Sequence, residues 1–109
     1  MDPQVAKLLV EELEAEVNNG GFDQFFFNSA GDKAAETILA LKAIGAKHTA
    51  SILEDACKKF PGGMPPDDRT LRQELLEQVS PDSARFEDED AAFYEYTDDL
   101  AVLVSKYVG

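Results

Sequence analysis

The sequence predicts an all-α domain, a compact bundle of five to six helices, and three observations lead there. Apolar residues recur at steps of three and four along most of the chain. Clusters of glycine, asparagine and proline interrupt that pattern at spacings that suit tight connections. No segment shows the sustained apolar–polar alternation of a half-buried strand, and no internal repeat is present. The 109 residues suit a single domain spanning 1–109, and a 44% hydrophobic content with seven Phe supplies a core that a disordered acidic tail lacks.

Val5, Leu8, Leu9, Leu13 and Val17 mark the inner face of a first helix from about Pro3 to Asn18, with Pro3 suited to its first turn. Asn18-Asn19-Gly20-Gly21 ends it in a sharp reversal, because these residues tolerate a positive φ. Phe22 to Asn28 is too short to assign by period alone; it reads as a short helix wedged into the core, with a strand as the alternative. Ser29 to Asp32 forms a turn, and Asp32 is placed to cap a helix carrying Ala34, Ala35, Ile38, Leu39, Leu41 and Ile44, ended by Gly45.

After Ala46 another helix turns Ile52, Leu53, Ala56, Cys57 and Phe60 to one face, with Lys58 and Lys59 complementing its negative end. Pro61-Gly62-Gly63-Met64-Pro65-Pro66 breaks the pattern without separating two domains. Asp67 and Asp68 then open a helix with Leu71, Leu75, Leu76 and Val79 inward, closed by Ser80-Pro81. Phe93, Tyr96, Leu100, Leu103, Val104 and Tyr107 continue at helical steps, with a kink expected around Thr97.

Twenty-two acidic residues against ten Lys and Arg give a net charge of −12, which opposes direct nucleic-acid binding. Residues 1–60 hold 10 acids and 6 bases, whereas residues 61–109 hold 12 acids and 4 bases, so the second part carries −8. Most of it lies between Asp82 and Asp99, where the acids face a single Arg85. As one helix that span would be about 27 Å long, or roughly one carboxylate per 3.4 Å. That linear density is comparable to the phosphates of one DNA strand. Glu11, Glu12, Glu14 and Glu16 form a second group: the helical wheel turns Glu11 and Glu14 to solvent and sets Glu12 and Glu16 at the edge of the apolar arc. A partly buried Glu16 would need hydrogen-bond donors.

The string Glu16-Val17-Asn18-Asn19-Gly20-Gly21-Phe22-Asp23-Gln24-Phe25-Phe26-Phe27-Asn28-Ser29-Ala30-Gly31, followed by Ile44-Gly45-Ala46, has its own physical reading. Gly20 and Gly21 permit a tight reversal, and Phe22, Phe25 and Phe26 bury large areas. Asn19, Gln24 and Asn28 can satisfy helix ends and Glu16; a polar pocket around Glu16, Asn19, Gln24 and Asn28 that binds a small ligand is the alternative use. The string also resembles the signature of a bacterial family, the DNA-mimic protein domain. That resemblance implies an all-helical acidic domain, of which the family's namesake presents carboxylates in place of DNA phosphates and so occupies a DNA-binding regulator. It names no catalytic residue.

Nothing else in the chain carries a chemical motif. Asp88 and Asp90 lack the glycine and terminal glutamate of a calcium loop, His48 is the only histidine and reads as a surface residue, and Cys57 reads as buried and inert. Gly62-Gly63 has no following lysine and is no phosphate loop. One cysteine, no apolar leader and no long apolar run lead to the expectation of a cytoplasmic protein without membrane contact. The expected function is non-enzymatic, with no cofactor or metal: binding of a basic DNA-binding protein through Glu87, Asp88, Glu89, Asp90, Glu95, Asp98 and Asp99, with Glu11 and Glu14 as a second patch. A homodimer is compatible with this reading. The competing expectation is a structural or adaptor domain whose acidity serves only solubility.

Overall fold

Asp2 starts the first helix by accepting hydrogen bonds from the amides of Gln4 and Val5, ahead of Pro3 at the first helical position. The computed structural model describes Met1–Gly109, and this helix, α1, runs Pro3–Phe27. It bends sharply where expected: Gly20 has φ −157° and Gly21 φ +71°, after which the helix resumes through the aromatic segment. The strand alternative for Phe22 to Asn28 is therefore set aside. Gly21 cannot be replaced freely, because its φ is left-handed and a Cβ there would lie 2.5 Å from the Asp90 carboxylate. The buried stripe of α1 is Ala6, Leu9, Val10, Leu13 and Val17, while Val5 and Leu8 are exposed. The helical period leaves the centre of a stripe free to shift, and Ala6 and Val10 extend it on the side away from Val5 and Leu8.

A 3₁₀ turn at Ser29–Lys33 leads into α2 (Ala34–Ala43). Asp32 does not cap α2, contrary to expectation; it faces Arg69 and Arg72 instead. Helix α2 ends as its sequence predicts, with Gly45 at φ +88°, its amide bonded to the Lys42 carbonyl and the Ala46 amide to the Leu41 carbonyl. Helix α3 (Lys47–Cys57) follows and ends before the two lysines expected in its last turn: Lys58 is its C-cap, and Lys59, beyond the helix, donates to the Arg85 carbonyl and pairs with Glu89.

A short 3₁₀ turn at Pro61–Gly63 precedes α4 (Arg69–Val79), which Asp68 caps through the Leu71 amide. Leu71 is exposed, and the adjacent Arg72 takes the fully buried position. The C-terminal stretch is two helices, α5 (Glu87–Tyr94) and α6 (Leu100–Val108), separated by Tyr96 at φ +49° and restarted by Asp99 as the N-cap. The continuous 27 Å acidic helix is thus not formed.

Helix α1 is the central element and packs against α2, α4, α5 and α6, while α3 rests on α2 and α5. The aromatic segment supplies the centre of the core. Phe26 meets Phe60 at 4.9 Å and Phe86 at 5.3 Å between ring centroids, and Phe22 meets Phe93 edge-on at 5.9 Å. Phe22, Phe25 and Phe26 are fully buried, and through Phe60, Phe86 and Phe93 the end of α1 is tied to the later part of the chain. No helix is long and apolar enough to cross a membrane.

Candidate functional site

The polar residues of the signature string face one another across the bend of α1. Glu16, before the bend, accepts hydrogen bonds from Gln24 Nε2 and Asn28 Nδ2 beyond it, both at 2.9 Å. Asn19 Nδ2 in turn donates to Gln24 Oε1 at 3.1 Å. These four side chains form a latch that fixes the angle of the bend, and the half-buried Glu16 receives the donors it needs. A groove of about 420 Å³ next to the bend takes in Gly20 and Gln24 but not Glu16, Asn19 or Asn28.

A second polar centre was not legible in the sequence. Arg72 is 0% exposed, and all five of its N–H groups are engaged. Nε donates to the Phe26 carbonyl at 2.7 Å, Nη1 to the carbonyls of Pro66 and Asp67, and Nη2 to the Asn28 carbonyl and to Asp32 Oδ1. The orphan carbonyls at the end of α1 are thereby satisfied from α4. Gly31 makes room for this arrangement: a Cβ there would lie 2.7 Å from the Phe25 carbonyl oxygen and 2.8 Å from Arg72 Nε. Hydrogen bonds from Arg69 and Arg72 hold the Asp32 carboxyl down to about 2. The signal for Arg72 was an arginine between apolar positions of a helix, which the apolar pattern alone passes over.

The acids expected to bind a partner fall into two groups. Asp98 accepts from the backbone amide of Thr49 at 2.8 Å and from its hydroxyl at 2.9 Å, capping α3 where the Ala46 side chain has no acceptor. Asp90 accepts from the Phe22 amide at 2.8 Å and so restarts α1 after its bend. Asp99 caps α6 through Val102, and Glu89 pairs with Lys59. Glu87, Asp88 and Glu95 are exposed and make neither an ion pair nor a side-chain hydrogen bond. In the second patch Glu11 and Glu12 are exposed, while Glu14 is half-buried and accepts from the Tyr96 hydroxyl at 3.0 Å. Glu12 and Glu14 have thus exchanged the places that the helical wheel gave them.

The 420 Å³ groove carries Asp23, Glu77 and Asp90 with no basic side chain. Burial raises the Asp23 carboxyl, opposed by a hydrogen bond with Ser80 and reinforced by Asp82. Burial also raises Asp90, against the lowering effect of the Phe22 amide and with the charges of Asp23 and Glu89 adding to it. No three His, Cys, Asp or Glu side chains converge to hold a metal ion. Cys57 is fully buried, and burial pushes its thiol up to about 12, so no thiolate forms there near neutrality. His48 is exposed at the start of α3. The signature residues therefore build the scaffold, and the chemistry the surface offers is negative charge.

In comparison with known proteins, a family model described as DMP19-like protein matches residues 2–108. No curated protein and no solved structure matches the chain.

Proposed function

The chain belongs to the DMP19-like family, and from that premise we propose that it acts without catalysis as a stand-in for double-stranded DNA, occupying the basic surface of a DNA-binding protein. The observation that carries this reading is the set of carboxylates left free by the fold. Glu11, Glu87, Asp88 and Glu95 are exposed and unpaired, whereas the other acids expected to act as phosphate surrogates already serve the chain's own amides, hydroxyls and lysine. A carboxylate without an internal partner is available to a Lys or Arg from outside, and association through such charges is fast and sensitive to salt.

Capture from a lysate at low ionic strength, followed by elution with duplex DNA, tests the proposal. A DNA-binding protein should be retained and then released by the duplex. If none is retained, the mimic reading is to be abandoned. A second reading, an adaptor that docks through an apolar surface, is favoured by the exposure of Leu8 (59%) and Leu39 (57%). Salt separates the two, because an apolar interface survives high ionic strength and a carboxylate interface does not.

A further inference from the structure

We infer that Tyr94 and Tyr96 form an aromatic centre in the surface that meets the basic partner, and that they take up arginine side chains of that partner by stacking. The inference rests on the acidic-binding reading above and adds to it a preference that carboxylates alone do not create.

Both rings stand at the surface, Tyr94 at 48% and Tyr96 at 38% exposure, although the phenylalanine next to them, Phe93, is buried. Neither ring is free to swing. The Tyr94 hydroxyl donates to the Val17 carbonyl at 2.6 Å. The Tyr96 hydroxyl donates to Glu14 and accepts from Asn18 Nδ2 at 2.9 Å. Tyr96 also packs edge-on against Phe93 at 5.4 Å. The two side chains therefore reach the same stretch of α1, Glu14 to Asn18, with their hydroxyl ends pinned while the residues remain partly open to solvent. Tyr96 adopts φ +49°, a conformation uncommon for an aromatic residue, and that backbone turns the ring back onto α1.

The surroundings select the occupant. Glu14 accepts from the Tyr96 hydroxyl, burial and then the nearby Asp90 charge raise the Tyr94 hydroxyl, and the unpaired Glu95 lies between the two tyrosines in the chain. A cation is thus drawn to the pair. A guanidinium is planar and weakly hydrated, so it can stack on a tyrosine face while its N–H groups reach a carboxylate. A lysine ammonium is more strongly hydrated and gains less from the ring. Duplex DNA presents phosphates without such rings, so this centre would sharpen recognition beyond charge matching.

Titration of the full chain with oligo-arginine and oligo-lysine peptides of ten residues, at one fixed low salt concentration, tests the inference. Wild-type protein should bind the arginine peptide more tightly, and the ring protons of Tyr94 and Tyr96 should shift on its addition. Tyr94→Leu and Tyr96→Leu should each weaken the arginine peptide by about two- to fivefold, the range of an exposed cation–π contact, and leave the lysine peptide nearly unchanged. Glu87→Gln combined with Asp88→Asn should weaken both peptides alike. Equal affinity for the two peptides, or tyrosine ring signals that do not move in the wild type, would overturn the inference while leaving the acidic-binding reading intact. Failure of both peptides to bind overturns both. The ring signals of the wild type decide the matter even if a leucine variant fails to fold.

Discussion

The two ends of the polar architecture treat carboxylates in opposite ways. Around the end of α1, Asp32 and Glu16 each have two side-chain partners, and the buried Arg72 uses every N–H it has. Along α5, Glu87 and Asp88 have none, although they belong to the same residue class and lie in the first turn of their helix. The first region is a scaffold in which charge is neutralised and immobilised; the second is a face in which charge is left for solvent or a partner. Net charge therefore overstates the charge left free at the surface, because Asp98, Asp90 and Glu89 contribute to the sum while serving helix ends and a lysine.

Replacing Arg72 gives the largest expected effect on this contrast. Arg72→Ala leaves Asp32 and four backbone carbonyls without their shared donor, and should cost about 3–5 kcal/mol, read as a fall in the urea midpoint or as failure to fold. Gly31→Ala acts on the same centre from the other side: the new Cβ meets backbone that cannot yield easily, and the expected loss is about 1–3 kcal/mol by the same measurement. A wild-type midpoint in either variant would remove the scaffold half of the comparison.

Acid separates the regions next. Asp32 has a folded-state value of about 2 against an ordinary 3.8, so its contribution to stability is complete above the ordinary value and disappears as pH falls through about 2. Asp23 and Asp90 are shifted upward, so they oppose folding while ionised, and that penalty is relieved as pH falls toward 3.8. Stability should thus hold or rise on mild acidification and then fall steeply. Urea midpoints measured from pH 7 to pH 2 should show this shape, and Asp32→Asn should flatten the acid limb while lowering the neutral plateau.

The smallest effect on stability should come from the open face. Glu87→Gln, Asp88→Asn and Glu95→Gln together should change the unfolding free energy by no more than about 0.5 kcal/mol per site, because none has an internal partner. The same variant should bind a captured basic partner more weakly and with a shallower salt dependence. A large loss of stability would show that these acids belong to the scaffold after all.

The helical class, the bend at Gly20–Gly21 and the end of α2 at Gly45 follow from local chemistry: glycines take the left-handed backbone that few other residues adopt, and the structure has them there. The need of Glu16 for donors was equally local, since Gln24 and Asn28 lie one and two turns beyond the bend. The apolar period fixed that α1 has an inner face but not its centre, so Val5 and Leu8 fell outside. It also passed over Arg72, because a buried arginine is specified by carbonyls at the end of α1 and before α4, together with the Asp32 carboxylate, and not by the apolar pattern around it. The sequence by itself determined the number of acids and where they concentrate along the chain. Only the tertiary structure decided which acids are free, because an amide at Thr49 or Phe22 claims Asp98 or Asp90 from a distance of 49 or 68 residues along the chain.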